Sequence, residues 1–274
     1  VSLSVAITRT IPLFPHGNFV QWDLLDPTET GTYLFNVYRS GSSGGPWTLL
    51  LEEEPDCYNY TDRLPVGSDP NEQDPNQLAL SRAIFYKIAV TAPSGTRVEA
   101  VSSVEPRLNV RQRLLKRKIL RDESVMLRHL NGVEAAVLKR RHWGSRCPKC
   151  FDKYTKGVAH AACTTCFGTG FVTGYFDPIV TLAKRAPAMP TSQITTEGKQ
   201  DITLTRVMLL DAPAVRDDDV LVFLRDNRRF LVKNVTATEL QTVSVHQTLM
   251  VSEIQRGDVV YRILVDNLRT PPLF

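Results

Sequence analysis

Four of the five cysteines fall into two CxxC pairs, Cys147–Cys150 and Cys163–Cys166, with twelve residues between the pairs in the stretch RCPKCFDKYTKGVAHAACTTCFGTGF. A tight CxxC turn presents two sulfurs to one ion, and zinc takes four thiolate or imidazole ligands at the corners of a tetrahedron. Two such turns brought together close the coordination shell. The spacing therefore predicts a structural zinc ion on Cys147, Cys150, Cys163 and Cys166, with no position left open for water or substrate. Two disulfides or a redox pair are the competing uses of such cysteines. No βαβ pattern surrounds either pair, which argues against redox chemistry. The opening VSLSVAITRTIPLF carries no basic stretch followed by an apolar one, so the expected site of synthesis is the cytosol, where metal ligation is the commoner role. His160 could replace one thiolate, but four cysteines suffice. Gly168, Gly170 and Gly174 supply the tight backbone path that wraps a metal knuckle.

No second chemical constellation is visible. The histidines at 16, 129, 142, 160 and 246 lie in separate segments, and GxSxG, P-loop and HExxH motifs are all missing. The expectation is a protein that is not an enzyme and takes no small-molecule substrate. Asp217-Asp218-Asp219 reads as a solvated turn before a strand, and Cys57 as a buried thiol.

The cysteines follow a basic segment. Residues 107–131, RLNVRQRLLKRKILRDESVMLRHLN, contain neither Gly nor Pro and fit a helix of about seven turns. Leu108, Leu115, Ile119, Met126 and Leu130 fall on one stripe, with Arg113, Arg117, Arg121 and Arg128 on the opposite side. Asn131-Gly132 offers the left-handed residue that ends such a helix. From 107 to 146 there are twelve Lys/Arg against three acids. This is either the solvated face of a packing helix or a surface facing an acidic protein or DNA. No aromatic residue interleaves the helix, which disfavours stacking on single strands there.

The flanking regions read as strands. At 274 residues, with 42% hydrophobic and 23% charged side chains, the chain has room for about two domains and an ordinary globular composition. Its net charge of +4 is too small to name a nucleic-acid partner. No run of about 18 apolar residues is present, so no membrane span is expected. In 1–106 the candidates NFVQWDL, TYLFNVYRS, PWTLLLE, AIFYKIAVTA and RVEAVSSVEP alternate with turn-rich GSSGG and APSG. Trp22, "VYRS" at 37–40, Trp47, "YTD" at 60–62 and "FYKIAV" resemble a fibronectin type III domain. That resemblance implies a β-sandwich and no particular activity. The polar insert GSDPNEQDPNQ, 67–77, reads as an exposed loop. In 191–274 the β-branched runs DITLTRVMLL, DVLVFL, RRFLVKNV, QTVSVHQTLMVSEI and DVVYRILV predict a small β-barrel.

Two further resemblances concern the middle and end of the chain. "CTTCFGTG" is similar to the CxxCxGxG repeats of the J-protein zinc region, although that family uses four repeats and only one is intact here. "RLLKRKILRDE" joined to "RCPKCFD" and "CTTCFGTGFVTGYFDP" resembles tailed-phage virion proteins of the neck or head-to-tail connector. "DDDVLVFLRDNRRFLVKNV" and the hairpin around Gln247 resemble the small barrel of phage head-closure and tail-adaptor proteins, with Phe230 following the basic pair Arg228-Arg229. The resemblance implies a virion component in the neck or tail region, made in the host cytoplasm. Its partners would be copies of itself in a ring, neighbouring neck, portal or tail proteins, and possible passing DNA. The expected organisation is mainly β and multi-domain. It comprises a fibronectin-like sandwich at 1–106, a basic helix and connecting segment at 107–142, a zinc-binding segment at 143–190 and a barrel at 191–274. The alternatives are a zinc-ribbon nucleic-acid-binding protein, using the basic run on phosphates, and an enzyme with a structural zinc.

Overall fold

The computed structural model describes residues 3–13, 17–63, 84–103, 109–152, 154–155, 157–195, 198–240 and 243–265. The insert expected as an exposed loop at 67–77 lies outside them. The chain is mainly β and divides into two compact units, one of residues 1–118 with 142–146 and one of residues 119–141 with 147–274.

Among the described residues the first unit contains seven strands: β1 (Ser4–Pro12), β2 (Asn18–Leu25), β3 (Leu34–Ser40), β4 (Thr48–Pro55), β5 (Asn59–Asp62), β6 (Phe85–Thr91) and β7 (Arg97–Ser103). They form a three-stranded sheet, β1-β2-β5, and a four-stranded sheet, β4-β3-β6-β7. Aromatic rings join the two sheets. Trp22 of β2 and Phe35 of β3 are fully buried, with ring centroids 5.8 Å apart. Tyr86 of β6 is buried too, and its hydroxyl resolves the cost of burying a polar group. It donates to Asp62 Oδ2 at 2.7 Å and accepts from Asn18 Nδ2 at 2.9 Å. Arg39 donates to both oxygens of the same carboxylate at 3.0 Å. Burial, with the Asp62 charge beside it, pushes the Tyr86 phenol well above its ordinary range. This network ties β2, β3, β5 and β6 together through side chains.

The helix α1 spans Val110–Met126 and passes into a π-helical turn at Leu127–Asn131. Its start is set by a reciprocal cap. Asn109 Oδ1 accepts the Gln112 N–H at 2.9 Å, while Gln112 Oε1 accepts the Asn109 N–H at 3.0 Å, satisfying two of the orphan donors of a helix N-terminus. The α-helix is therefore shorter than the 107–131 expected from the lack of Gly and Pro. Its end also differs from expectation. Gly132 is extended (φ −87°, ψ 148°), not left-handed, and its N–H closes the π turn on the Leu127 carbonyl at 2.9 Å. A Cβ at Gly132 would sit 2.2 Å from that oxygen, so close approach is what demands glycine here. The expected apolar stripe is not the buried one. Leu115, Met126 and Leu130 are 44%, 44% and 77% exposed and Ile119 is half-buried, whereas Lys116, Leu120, Ser124 and Leu127 are buried; Leu108 lies outside the described residues. The buried side runs at spacings of four, four and three, and small Ser124 and the stem of Lys116 share it with the leucines.

The second unit is built on a closed six-stranded barrel with strand order β10-β13-β12-β11-β8-β9. Its members are β8 (Val133–Leu138), β9 (Ile179–Thr195), β10 (Gly198–Leu210), β11 (Val220–Phe223), β12 (Arg228–Leu240) and β13 (Val243–Glu253). Alternate residues fill one core: Ala135 and Val137, Val207 and Leu209, Leu221 and Phe223, Phe230 and Val232, Leu249 and Val251. This is the period of two that strands require. The barrel takes in more chain than the 191–274 expected, because β8 and the start of β9 lie outside that range. VEAAVL is short and alanine-rich, a weak strand signal on its own, but its ladder to β11 and β9 closes the sheet. The cysteine segment is thus an excursion between two neighbouring barrel strands. Among the described residues no helix is long and apolar enough to cross a membrane.

Candidate metal centre

The excursion leaves and re-enters the barrel through a short extension of the β8–β9 ladder. Phe176 N–H donates to the Lys139 carbonyl at 2.9 Å, and Arg141 N–H to the Gly174 carbonyl at 3.0 Å. Buried Tyr175 joins Ala136, Leu138, Val220 and Val222 in a second apolar cluster, with Phe167 packed against it. The loop is therefore held at its neck and on one side before any metal is considered.

Within it, each CxxC forms a tight turn. Phe151 N–H donates to the Cys147 carbonyl at 3.2 Å, and Phe167 N–H to the Cys163 carbonyl at 2.8 Å. Cys147 N–H donates to the Gly170 carbonyl at 2.9 Å, joining the first turn to the chain that follows the second, and Thr169 N–H donates to the Cys166 carbonyl at 2.9 Å, extending the second. The expected glycines are required. Gly168 and Gly174 have φ of +79° and +66°, and a Cβ at these positions would lie 2.9 Å from the Ala161 carbonyl oxygen and 2.5 Å from that of Cys166.

These turns bring together all four expected cysteines. The sulfurs of Cys147, Cys150, Cys163 and Cys166 lie within 4.8 Å of one another. Cys147 Sγ is 3.9 Å from Cys163 Sγ, and Cys150 Sγ is 3.0 Å from Cys166 Sγ. Four thiolates around one zinc at about 2.3 Å would stand about 3.8 Å apart, so one ion can reach every sulfur. All four cysteines are free of disulfides. Cys147, Cys150 and Cys166 are buried and Cys163 half-buried. The thiols feel opposite influences. Burial pushes Cys150 up, whereas the backbone N–H of Thr165, then that of Cys166, lowers Cys163 to about 6. Three buried sulfurs converging on one point, with two knuckle N–H groups favouring negative charge, can bind a metal such as zinc. His160 is exposed and stands outside the group.

The other singled-out residues are not gathered into a site. On the basic helix Arg117 is half-buried, and Arg121 and Arg128 are exposed; the Arg113 side chain lies outside the described residues. Part of the basic run that follows is engaged locally. Lys139 is buried, Arg140 pairs with Asp218 at 3.0 Å, and the Arg141 guanidinium lies 4.7 Å from the Phe176 ring centre. The acidic turn at 217–219 is only partly solvated. Asp219 is 2% exposed, accepts the N–H groups of Arg140 and Arg216 at 2.8 Å, and is raised above the usual carboxylate range by burial. Cys57 is half-buried, and burial pushes its thiol up to about 12, which makes it unreactive.

The barrel residues singled out by resemblance hold the barrel together. Phe230 meets Phe223 in the interior, with centroids 5.5 Å apart. Arg228 pairs with Glu253. Buried Arg229 donates to the carbonyls of Val260 and Ile263 and lies 5.0 Å from the Tyr261 ring centre, clamping the 3-10 turn Val259–Arg262. No protein-family model and no curated protein matches the sequence.

Proposed function

We propose that this chain is a non-enzymatic structural subunit of a tailed-phage virion, a component of the neck, collar or head-to-tail connector that assembles as a ring of identical copies. The observation that carries this reading is the length of the β9–β10 hairpin. β9 pairs with β8 only through Ala183, and β10 pairs with β13 only from Leu204 onward. Beyond those limits Pro190–Thr195 and Gly198–Thr203 pair with each other, and among the described residues no other strand joins their outer edges. A two-stranded ribbon is marginal alone, and its open edges are templates for another chain. A ribbon that docks on a different surface of the next copy makes a heterologous contact, which closes into a ring when the rotation permits.

The remaining features fit the same role. The division into β1-β2-β5 and β4-β3-β6-β7, with Trp22 and Tyr86 in the core, supports the fibronectin-type reading of the first unit. A structural zinc on the four cysteines would staple a Gly-rich excursion that has little core of its own. Exposed Arg121 and Arg128 offer positive charge to acidic neck, portal or tail proteins or to passing DNA. Electron microscopy of the purified protein tests the proposal directly, and ring-shaped particles are expected. Replacing residues 190–203 by a two-residue turn should yield monomers with an intact barrel, measured by light scattering and circular dichroism. A parent protein that stays monomeric at high concentration overturns the ring.

A further inference from the structure

We propose that the loop between the two CxxC pairs is a docking site for single-stranded nucleic acid, with Tyr154 as its base-stacking platform. Tyr154 is 97% exposed and is the one exposed Phe, Tyr or Trp side chain among the described residues. Nothing in the fold is stabilised by leaving a phenol ring in water. Yet the described residues around it are hydrogen-bonded. Asp152 Oδ1 accepts the Tyr154 N–H at 2.9 Å, and Asp152 Oδ2 accepts the Thr155 hydroxyl at 2.9 Å. Asp152 N–H donates to the Gly157 carbonyl at 3.1 Å, and Ala159 N–H to the Cys150 carbonyl at 2.8 Å. A bridge between Phe151 and Val158 closes the loop at its base. The ring is thus carried beside the first CxxC turn on a residue whose own N–H is hydrogen-bonded, which lowers the ordering cost of binding.

The chemistry around the ring selects the partner. From 149 to 160 the sequence carries three lysines, at 149, 153 and 156, and one acid, Asp152. Lys149 is exposed, and the Asp152 carboxylate is committed to the loop's own donors. A protein interface would want an apolar centre around a buried aromatic. The residues beside Tyr154 in sequence are instead Asp152, Lys153, Thr155, Lys156 and Gly157. A lone exposed ring in a lysine-rich stretch of sequence suits a base lying on its face while the neighbouring phosphates meet lysine. The basic helix lacks aromatic residues, so it cannot offer this combination. This site stands whether or not the chain assembles into a ring.

The test uses the full-length, metal-loaded protein and a fluorescent oligothymidylate, read by anisotropy across a salt series. Binding that weakens with salt is expected, because lysine displaces counterions from phosphate. Tyr154→Ala should weaken binding by about tenfold, and Tyr154→Phe, which keeps the ring, should restore it. Lys149→Glu should weaken binding and flatten the salt slope. Metal content is measured for each variant to confirm an intact loop. Ultraviolet cross-linking of the unaltered protein, mapped by mass spectrometry, should place the oligonucleotide on the peptide containing Tyr154. Absence of binding at low salt, a cross-link elsewhere, or equal affinity for the parent and Tyr154→Ala overturns the proposal. So does a polyglutamate peptide that competes with the oligonucleotide and loses affinity equally on Tyr154→Ala, since that result assigns the loop to acidic proteins.

Discussion

Trp143 lies with its ring centroid 5.5 Å from that of Phe35, although one belongs to β3 and the other to the segment between β8 and the cysteines. Tyr33 meets the same indole edge-on at 5.6 Å, and Trp143 is 1% exposed. Its neighbour His142 places Nε2 2.8 Å from the buried carboxylate of Asp23. The core of the first unit is therefore completed by a short piece of chain from far along the sequence.

Removing that ring should be costly. Trp143→Ala is expected to destabilise the first unit by about 3–5 kcal/mol, the range for deleting a buried aromatic. Urea unfolding of the full chain, compared with metal content, checks this. The metal content should be unchanged. An unaltered unfolding curve would show that the indole only covers a surface that is already stable.

Elemental analysis should find about one zinc per chain, the number that one four-ligand site holds. Cys163→Ser should release it. Hydrogen exchange should then rise across 147–174 while β8 and β11–β13 stay protected, since the barrel has its own core and local opening follows local packing. Protein purified with no metal and two disulfides by mass spectrometry would refute the zinc staple.

Much of this arrangement was legible because it is local in sequence. The two CxxC pairs and their glycines specify the knuckles almost unaided, and turn signals with period-two alternation locate most of the strands. Three features were hidden for physical reasons. Trp143 sits in a stretch dominated by Arg and His, so no periodicity marks it as core, and only its tertiary contacts do. VEAAVL has too little bulk to read as a strand until β11 and β9 flank it. The buried side of the helix mixes Lys116 and Ser124 with Leu120 and Leu127, so it does not read as apolar, and the leucine–methionine stripe picked out by spacing is the mostly exposed one. Its start could have been read, since the pair Asn109 and Gln112 is a capping pattern visible in the sequence.

Gly174 offers a sharper probe of the knuckle than a ligand substitution. Its φ of +66° and the 2.5 Å that would separate an added Cβ from the Cys166 carbonyl mean that Gly174→Ala must shift the second knuckle. The expected cost is about 1–3 kcal/mol of local strain, read as weaker metal retention in a chelator competition. All four sulfurs are still present in this variant. Unchanged retention would mean that the backbone after Cys166 relaxes without moving the ligand.

Gln247 tests whether the polar residue singled out in the barrel is structural. It is 1% exposed; its amide donates to the carbonyls of Leu210 and Pro213 at 3.0 and 2.8 Å, and its oxygen accepts the Val215 N–H at 3.2 Å. These bonds fasten the connection after β10 to β13. Gln247→Leu keeps the volume and leaves those backbone groups without their partner, at about 1–3 kcal/mol each if they stay buried. The barrel should therefore lose several kcal/mol in urea unfolding. Gln247→Glu should cost more at neutral pH, because it buries a charge and removes both donors. Burial raises a carboxyl pKa in the folded state, so the native variant holds its proton at pH values where the unfolded chain has released it. Its stability should fall as pH rises from about 4 through the folded-state pKa and recover on acidification through the same window, measured against the parent at each pH. A Glu variant whose deficit is the same across that range would show that water reaches position 247.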